Sequence, residues 1–456
     1  MSTPGVVIAA PASGCGKTTV ATGLMGALRR AGRAVAPFKV GPDFIDPGYH
    51  ALATRRPGRN LDPVLAGEHL IGPLYRHGSA NADIAVIEGV MGLFDGRITD
   101  ETVGTAFGST AHVATLLGAP VVLVVDARGQ SHSIGALLHG FSTFDPAVRI
   151  AGVVLNRVGS HRHEEVLRQA CEQAGVPIFG AIPRTDELSV PSRHLGLITA
   201  VEHGARARAA VEAMTALVGR HVDLVGIAGL ARSSVADEAW DPAACTTRTD
   251  GHATVALASG KAFSFGYAEH REVLTAAGAE VAEFDPLADP LPPGTSALVL
   301  PGGFPEEFVA ELSANDVVRA QIKELAATGA PVHAECAGLT YLVDDLDGHP
   351  MCGVLSASAR FTDRLTLGYR EAIVVADSPM HSIGDRTMGH EFHRTAVTFT
   401  GDYPPAWVFS GRDTSRRSDG AVEGGVHAGY LHIHPAAHAR AISRFVGAAA
   451  SSTLAG

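Results

Sequence analysis

The sequence predicts a two-domain α/β protein in which each domain is built on a parallel sheet. Its 456 residues exceed the size of one ordinary domain, and an apolar fraction of 46% is sufficient for two cores. Two series of short apolar runs alternate with amphipathic patterns of helical period, and a polar stretch without periodicity separates the two series. Alternating strands and helices with short connections are typical of doubly wound parallel sheets.

The first series covers residues 1–230. Its predicted strands are Val6–Ala10, Ala34–Val40, Ile84–Glu88, Pro120–Asp126 and Ile150–Asn156. Helical patterns between them include Thr18–Ala31 and Glu164–Ala174. Residues 231–250 form the predicted linker, because they are polar and have neither a strand period nor a helix period.

The second series covers residues 251–448 and predicts a second α/β domain. Strands are expected at Thr254–Ala258, Glu280–Phe284, Ala297–Leu300 and Pro331–Ala334. Helices are expected around Tyr267–Ala277, Val317–Thr328 and Ala436–Val446. No internal repeat relates the two series, so two different domains are predicted.

Charge and cysteine content narrow the classes of function. Lys and Arg total 36 against 47 Asp and Glu, a formal net charge of −11, which disfavours non-specific binding to nucleic acid or to an anionic membrane. No apolar run approaches the ~18–20 residues of a membrane span, and the first residues lack a basic signal-peptide region, so a cytoplasmic protein is expected. The five cysteines are widely spaced without a CxxC pair, so neither a disulfide framework nor a zinc site is predicted.

Lysine is rare in this chain. The 36 basic residues include only four lysines, which are Lys17, Lys39, Lys261 and Lys323. Codon usage that favours arginine explains the scarcity. The alternative is that some of the four have a task that needs a compact point charge on a flexible stem, which arginine does not carry.

A glycine-rich turn, APASGCGKTT at residues 10–19, follows the first predicted strand and opens a helix. Backbone N–H groups and the helix dipole bind phosphate there, while the loop lysine reaches the β- and γ-phosphates and the next hydroxyl holds Mg²⁺. We therefore expect ATP and Mg²⁺ at this loop. Thr18 is also expected to bind Mg²⁺ through its hydroxyl. The residues expected to contact the nucleotide are Ser13, Gly14, Cys15, Gly16, Lys17, Thr18 and Thr19.

This loop departs from the strict phosphate-loop pattern, which has glycine where Pro11 stands. In that respect it resembles the dethiobiotin-synthetase branch of P-loop proteins, whose small residue lies one place earlier, as Ala10 does. The alternative interpretation is an ordinary glycine-rich turn between a strand and a helix.

Charged residues also follow the second predicted strand. Lys39, Asp43 and Asp46 lie in the stretch FKVGPDFIDP at residues 38–47. Strand C-termini of an open parallel sheet border the ligand crevice, so Lys39 and Asp43 are expected where phosphate, metal and substrate meet. The alternative is that Asp43 and Asp46 only form turns beside proline.

Two later strands end in polar residues that extend this predicted site. Glu88 closes the third strand, where a carboxylate can bind Mg²⁺ directly or through water. Asp95 lies in a glycine-flanked loop and is either a turn residue or part of the substrate site. Asn156 ends the fifth strand, and its amide either reads a nucleotide base or caps the strand.

The second domain contains a predicted nucleophile elbow, PVHAECAGL at residues 331–339. A strand-to-helix turn with small neighbours exposes a nucleophile above a sheet. The helix that follows Cys336 offers the N–H of Ala337 to an oxyanion, and Gly302 and Gly303 end another strand that can offer a second N–H. The alternative is that Cys336 is a small buried hydrophobic residue.

Histidines near the C-terminus supply a base for this cysteine. The segment GYLHIHP contains His432 and His434, either of which can deprotonate a thiol that folding brings close. The pair could also bind a metal, since alternate residues of a strand share a face. The sequence offers no third ligand, so catalysis is favoured.

Together these motifs resemble the cobyrinate/hydrogenobyrinate a,c-diamide synthase family along nearly the whole chain. The matching stretches are APASGCGKTT, FKVGPDFIDPGYH, IEGVMGLFDG, PGGFPE, AECAGL and GYLHIH. The resemblance implies a P-loop domain of the dethiobiotin-synthetase type followed by a class I glutamine-amidotransferase domain. It also implies ATP, Mg²⁺ and L-glutamine, with hydrogenobyrinate or cobyrinate as the substrate that receives two amides.

By position in these motifs, the resemblance makes Cys336 the glutaminase nucleophile and His432 its base. Class I amidotransferases follow their histidine with Pro-Glu, whereas Ile433-His434 follows here, so the usual acid of the triad is missing. Glu391 or His393, in another stretch that matches the family, could orient His432.

The predicted chemistry has two half-reactions. ATP phosphorylates a substrate carboxylate, and ammonia released from glutamine at Cys336 displaces the phosphate. Because the ammonia must be shielded, the two sites are expected to face one another. A local basic patch must receive the many carboxylates of the substrate, and its candidates are Lys39, Arg55, Arg56 and Arg59. Amidotransferases of this kind can dimerise, so a homodimer is also expected.

Two other interpretations remain open at this stage. The first is a sister amidotransferase, such as a cobyric acid synthase or an a,c-diamide synthase that acts on a sirohydrochlorin. The second is a P-loop ATPase whose amidotransferase module has lost its activity, which the intact Cys336 and His432 disfavour.

Overall fold

The computed structural model describes residues 2–98, 105–184, 192–193, 196–197, 200–411 and 415–454. The chain divides into two compact units, Met1–Trp240 and Asp241–Gly456, and the division falls inside the predicted linker 231–250. Linker residues 231–240 belong to unit 1, where Arg232 forms a backbone bridge with Gly5. Residues beyond this division belong to unit 2, where the N–H of Thr247 donates to Ser443.

Unit 1 is a doubly wound parallel sheet of seven strands in the order β3-β2-β4-β1-β5-β6-β7. Its strands are β1 Gly5–Ala9, β2 Val35–Val40, β3 Arg59–Leu61, β4 Ile84–Glu88, β5 Val121–Asp126, β6 Ile150–Val158 and β7 Ile178–Pro183. A separate short hairpin joins β8 Ser192–Arg193 to β9 Gly196–Leu197. Strands β1, β2 and β4 are buried along their whole length, which is why they read as continuous apolar runs in the sequence.

Eight helices of unit 1 are described. They are α1 Lys17–Arg30, α2 Asp46–Thr54, α3 Glu68–Gly78, α4 Thr110–Leu117, α5 Ser133–Phe144, α6 His161–Gln173, α7 Ala200–His221 and α8 Leu224–Leu230. Strand β1 is central in the sheet, between β4 and β5. The C-termini of β1, β2, β4 and β6 therefore converge on one edge, and that edge carries the residues predicted to bind nucleotide.

Unit 2 begins with the short helix α9 Pro242–Cys245 and contains a second sheet, in the order β11-β10-β12-β13-β21-β20. Its strands are β10 Ala253–Ala258, β11 Ala279–Phe284, β12 Thr295–Leu300, β13 Val332–Glu335, β20 Ala421–Glu423 and β21 Val426–Gly429. All pairs are parallel except β20 with β21. The helices are α10 Ala268–Ala276, α11 Val309–Ala314, α12 Asp316–Ala327, α13 Ala337–Leu342 and α14 Ala439–Leu454.

A third, mixed sheet lies between α13 and β20 in the chain, and the sequence patterns did not predict it. Its strands are β14 Val343–Leu346, β15 His349–Pro350, β16 Leu355–Val374, β17 Arg386–Phe399, β18 Trp407–Ser410 and β19 Arg416–Asp419. Strands β16 and β17 form a long antiparallel ribbon with a register shift between Phe361 and Thr366. Many ribbon residues are half-exposed, so no continuous apolar run marks this sheet in the sequence.

The predicted α/β class is confirmed in both units, and most predicted elements end within one or two residues of the observed ones. The last helix is an exception. The sequence predicted this helix around Ala436–Val446. Residues Pro435–His438 instead form a 3₁₀ turn, and α14 covers Ala439–Leu454, past the predicted domain end at 448. No helix among the described residues has both the length and the apolar character of a membrane span.

Candidate active site

The phosphate loop of unit 1 leads from β1 into α1. Gly14 and Gly16 have φ angles of 79° and 97°, a region that only glycine adopts without strain. The side-chain amide of Asn156, at the end of β6, donates to the carbonyl of Cys15 at 2.9 Å. A Cβ on Gly16 would lie 2.2 Å from that amide nitrogen. Asn156 therefore supports the loop, and the predicted contact with a nucleotide base stays a prediction.

Lys17 lies at the mouth of this loop and is 8% exposed. Its Nζ donates to the carbonyl oxygens of Ala12, at 3.2 Å, and of Met91, at 2.5 Å. Burial and the nearby charge of Lys39 lower the pKa of Lys17. The loop itself is open to solvent at Ser13 and Gly14, while Thr18 and Thr19 in the first turn of α1 are half-buried.

A cluster of charged side chains lies beside Lys17, and we call Thr18, Lys39, Asp46, His50 and Glu88 the carboxylate cluster. The hydroxyl of Thr18 donates to Oε1 of Glu88 at 2.6 Å. Nζ of Lys39 donates to Asp46 at 2.6 Å and to Glu88 at 3.0 Å. Nε2 of His50 lies 2.6 Å from the second carboxylate oxygen of Glu88. Each oxygen of Glu88 therefore has a partner, although the side chain is fully buried.

Lys39 faces two buried carboxylates in this cluster, and the two differ in their pKa. Burial raises the pKa of Glu88, but the charge of Lys39 and the hydrogen bond with His50 outweigh it, and the pKa lies below its ordinary value. Burial, together with the charges of Asp43 and Glu88, raises the pKa of Asp46. Burial lowers the pKa of Lys39, but its two carboxylate partners reverse that effect and raise it. Glu88 is therefore the ionised partner of Lys39, whereas a negative charge on Asp46 is disfavoured.

Asp46 and His50 are functional candidates that the sequence patterns did not select. They lie four residues apart on α2, so both side chains project from one face of the helix. That face is turned toward Lys39 near the end of β2 and Glu88 at the end of β4. The helical spacing of the two residues was visible in the sequence, but their partners were not.

The oxygen ligands of this cluster fit Mg²⁺. Mg²⁺ prefers oxygen ligands and usually takes one or two from protein, with the rest from water and phosphate. Thr18 and Glu88 supply a hydroxyl and a carboxylate 2.6 Å apart beside the phosphate loop. Among the described residues no group of three or more His, Cys, Asp or Glu is arranged to hold a metal ion.

Asp43 and Asp95, which were predicted to touch substrate or metal, hold turns together. Oδ1 of Asp43 accepts the N–H groups of Ile45, at 2.7 Å, and of Asp46, at 3.1 Å. Oδ2 of Asp95 accepts the N–H of Gly92 at 2.9 Å. Asp95 is exposed and Asp43 half-buried, so a role toward substrate stays a prediction for both.

The four residues of the predicted basic patch differ in exposure and partners, and their role toward the substrate stays a prediction. Arg56 donates to the carbonyl oxygens of Gly78 and Ala80. Arg59 is buried at 8% exposure, and Lys39 is held by carboxylates. Of the four candidates only Arg55 is exposed.

In unit 2, Cys336 lies at the turn between β13 and α13, as the elbow pattern predicts. Its φ of 52° and ψ of −102° are strained for a residue with a side chain. Gly338, two residues on, packs so closely that a Cβ would lie 2.3 Å from the carbonyl oxygen of Leu300. The thiol donates to the carbonyl of Phe392 at 3.6 Å. The small residues around the cysteine thus allow helix and strand to pack closely while the strained turn presents the thiol.

His432 follows β21 and is brought to Cys336 by the pairing of β21 with β13. Its ring is fully buried. Nδ1 lies 3.4 Å from Oε2 of Glu335. Burial alone lowers the pKa of His432, but a hydrogen bond with Cys336 and the interaction with Glu335 reverse this and raise it to about 10. The ring therefore lies between a thiol and a carboxylate, the arrangement of a cysteine–histidine pair with a third group.

His434 and Glu391, the other histidine and the other acid considered in the sequence analysis, contact groups other than Cys336 and His432. Nδ1 of His434 accepts the N–H of Ala436 at 3.3 Å and caps the turn that follows. Glu391 is paired with Nε of Arg370 at 2.6 Å and lies 3.7 Å from His393. His432 is therefore the histidine next to Cys336, and Glu391 is committed to Arg370.

The predicted oxyanion-hole residues surround this pair. A Cβ on Gly302 would lie 2.3 Å from Cε1 of His432 and 3.3 Å from Cβ of Cys336, and one on Gly303 would lie 1.9 Å from the carbonyl oxygen of Ala262. Ala337 is the first residue of α13, so its N–H belongs to the helix N-terminus. The glycines are required by close packing, while the direction of their N–H groups toward an oxyanion stays a prediction.

Two family models match the chain, one in each unit. Residues 6–198 match the CobQ/CobB/MinD/ParA nucleotide binding domain. Residues 254–440 match the CobB/CobQ-like glutamine amidotransferase domain. The predicted combination of a P-loop domain and a glutamine-amidotransferase domain is thereby confirmed.

Curated relatives match the chain over nearly its full length. A hydrogenobyrinate a,c-diamide synthase of Mycobacterium tuberculosis is 69% identical over 454 residues, covering 99% of both chains. One of Streptomyces coelicolor is 53% identical and covers 97% of both. A cobyrinate a,c-diamide synthase of a Synechococcus species is 39% identical and covers 94% of both. The resemblance found in the sequence motifs is thus confirmed, and the chain belongs to the hydrogenobyrinate/cobyrinate a,c-diamide synthase family.

Proposed function

We propose that this protein uses ATP and glutamine to amidate the a and c side-chain carboxylates of hydrogenobyrinate or cobyrinate, a step of cobalamin biosynthesis. The observation that carries the proposal is the buried Cys336–His432 pair in a chain that also contains a phosphate loop. A glutaminase supplies ammonia, and an ATP site supplies the activation that a carboxylate needs before ammonia can attack it. The names of the full-length relatives support the choice of macrocycle.

In the first half-reaction, a substrate carboxylate oxygen attacks the γ-phosphorus of ATP, and ADP leaves. The product is an acyl phosphate, whose phosphate is a better leaving group than the oxide of a free carboxylate. Lys17 and the loop N–H groups would stabilise the charge that develops on the transferred phosphoryl group. Mg²⁺ would be held by Thr18 and Glu88, and it supplies further charge neutralisation when bound.

In the second half-reaction, the sulfur of Cys336 attacks the amide carbon of glutamine while His432 holds the thiol proton. Collapse of the tetrahedral intermediate breaks the carbon–nitrogen bond, and the proton on His432 passes to the departing ammonia. Water then hydrolyses the thioester and releases glutamate. Ammonia attacks the acyl phosphate, which gives the amide and inorganic phosphate.

The decisive experiment gives the purified protein ATP, Mg²⁺ and glutamine with hydrogenobyrinate or cobyrinate under matched conditions. Counting amides by mass spectrometry should show two additions to one or both macrocycles, with glutamate and ADP formed in proportion. Amides at other side chains, or on a sirohydrochlorin alone, would instead indicate a sister amidotransferase. ATP hydrolysis that needs neither glutamine nor macrocycle would indicate the P-loop ATPase alternative.

Two further features belong to this proposal. A cytoplasmic location and a homodimer are predicted from the sequence alone. Light scattering coupled to size-exclusion chromatography measures the second directly, with a mass near twice 47.1 kDa expected for the dimer.

A further inference from the structure

Glu335 is the last residue of β13 and immediately precedes the nucleophile. Its side chain is 8% exposed, and its two oxygens have three partners close by. Oε1 accepts the N–H of Ile433 at 3.2 Å and lies 3.2 Å from Nε2 of His333. Oε2 lies 3.4 Å from Nδ1 of His432. One carboxylate therefore contacts both the ring of His432 and the backbone next to it.

We infer that Glu335 is the positioning residue of His432 and takes the place of the acid that class I amidotransferases have two residues after their histidine. The inference rests on the proposed glutaminase function of unit 2. It assigns a role to a residue on the nucleophile's own strand, whereas the position two residues after His432 is occupied by His434.

The geometry assigns a different role to each ring nitrogen of His432. Nδ1 is the nitrogen on the side of Glu335. Nε2 lies on the other side of the ring, where a Cβ on Gly302 would be 3.2 Å from Nε2 and 3.3 Å from Cβ of Cys336. A carboxylate on Nδ1 keeps the proton there and leaves Nε2 able to take the thiol proton. The same carboxylate stabilises the imidazolium that results.

The charge state of Glu335 suits this role. Burial raises the pKa of Glu335, but hydrogen bonds with His333 and His432 outweigh burial and hold it below its ordinary value. The carboxylate is therefore ionised at neutral pH and faces a histidine that is readily protonated. A buried glutamate without such partners would instead take up a proton.

The backbone on both sides of the His432 ring is also fixed. His432 and His390 exchange two backbone hydrogen bonds, each of 2.9 Å. The contact from Ile433 to Glu335 fixes the following peptide. The ring thus has little freedom to leave the line between Glu335 and Cys336.

The other buried acids close to His432 in the fold are committed elsewhere. Glu391 is paired with Arg370. Oδ2 of Asp419 accepts the N–H of Tyr430 at 2.8 Å, and burial together with the charge of Glu391 raises the pKa of Asp419 to about 7. Glu335 is the acid within reach of Nδ1 among the described residues that carry a carboxylate in this region.

The test compares Glu335→Gln with the wild type in glutamine hydrolysis and in amidation with free ammonium. The amide N–H₂ of Gln can donate to Nδ1, which would place the ring proton on Nε2 and prevent His432 from accepting the thiol proton. We expect kcat for glutamine to fall at least ~100-fold with little change in KM, while ammonium-dependent amidation stays at the wild-type rate. The alkaline limb of the kcat/KM profile should move to lower pH, because His432 loses the charge that raises its pKa.

Two further variants separate positioning from folding. Glu335→Asp retains the charge, so it should recover part of the glutaminase activity and most of the alkaline limb even if its thermal stability is no better than that of Glu335→Gln. Glu391→Gln should leave the pH profile in its wild-type position. The inference is overturned if folded Glu335→Gln hydrolyses glutamine within about threefold of wild type, if Glu335→Asp is as inactive as Glu335→Gln, or if only Glu391→Gln shifts the profile.

Failure of the proposed function has a different signature. Wild-type protein that does not hydrolyse glutamine at all would overturn the glutaminase itself. Wild-type activity that persists in Glu335→Gln would overturn only the role of Glu335.

Discussion

Glu88 in unit 1 and Glu335 in unit 2 occupy the same place in two different sheets, the C-terminal end of a buried parallel strand. Glu88 is surrounded by a lysine, a threonine hydroxyl and a histidine. Glu335 contacts two imidazoles and one backbone N–H, and no lysine or arginine of the described part of the chain is paired to it. Unit 1 therefore pairs its acid with the permanent charge of a lysine, and unit 2 pairs its acid with imidazole rings and a backbone N–H.

The difference matches the chemistry proposed for each unit. Phosphoryl transfer needs fixed charges that do not change during the reaction, because there is little proton movement for the protein to assist. Thiol chemistry needs a proton to leave and return, so a titratable ring held by a carboxylate is appropriate. Variants in each unit test whether unit 1 depends on fixed charge and unit 2 on proton transfer.

The largest effect is expected for Cys336→Ala. Removing the nucleophile should reduce glutamine-dependent amidation at least ~10³-fold, while amidation with ammonium should stay near wild type because unit 1 is untouched. Parallel assays with the two nitrogen sources measure this. If ammonium-dependent turnover is lost in a folded Cys336→Ala protein, the separation of the two chemistries fails.

Glu88→Gln should affect both nitrogen sources equally. The neutral amide cannot balance Lys39 and is a poorer ligand for Mg²⁺, so we expect turnover to fall ~100-fold with either glutamine or ammonium. Glutamine hydrolysis measured alone gives the control, since Cys336 and His432 lie in the other unit. Unchanged ammonium-dependent turnover would contradict the metal role of Glu88.

Mild acid should destabilise unit 2 more than unit 1. Burial lowers the pKa of His427 to about 3 and of His438 to about 4 in the folded state, and it also lowers that of His381. Because the unfolded state binds these protons near pH 6.5, stability is lost as pH falls below that value, by about 1.4 kcal/mol for each histidine near pH 5.5 and so about 4 kcal/mol for the three together. His432 acts oppositely, since its raised pKa gives stability that is present below pH 6.5 and lost as pH rises through about 10.

The two tryptophans allow this prediction to be measured in each unit separately. Trp407 lies in unit 2, with its ring centre 4.9 Å from that of His381 and 4.8 Å from that of His427. Trp240 lies at the end of unit 1. Denaturant unfolding of Trp240→Phe at pH 7.5 and 5.5 follows unit 2, and Trp407→Phe follows unit 1. Equal shifts of the two midpoints would show that the buried histidines do not control the acid sensitivity.

The smallest effect concerns the rare lysines. Lys17→Arg retains the charge but forces a wider group between the carbonyls of Ala12 and Met91, so kcat/KM for ATP should fall more than ~10-fold, which is about 1.4 kcal/mol. The matched control is Lys323→Arg on the exposed side of α12, which should leave ATP kinetics and stability unchanged. If Lys17→Arg leaves kcat/KM for ATP unchanged, codon usage alone explains the positions of the four lysines.

Much of the fold could be predicted from the sequence. Most central strands of the two mainly parallel sheets are apolar runs, and β4 was predicted with its observed ends. The phosphate loop and the elbow at Cys336 were predicted because short motifs contain their own backbone geometry. The ribbon of β16 and β17 was not, since its half-exposed residues lack a strong pattern.

The sequence did not predict which side chains contact one another within each site. Asp46 looked like a turn residue, His50 carried no signal, and Glu335 was only a neighbour of the nucleophile. Glu335 and Ile433 are 98 positions apart, and only the pairing of β13 with β21 brings them together.

By itself, the sequence determined which residue types stand at the ends of buried strands, because apolar periodicity and glycine-rich turns are local properties of the chain. It therefore determined Lys17 and Cys336. Only the tertiary structure decided that Lys39 lies between Asp46 and Glu88 and that His432 lies beside Glu335. Those contacts depend on strand order and helix packing, and the charges of buried groups depend on which neighbours replace the water that folding removes.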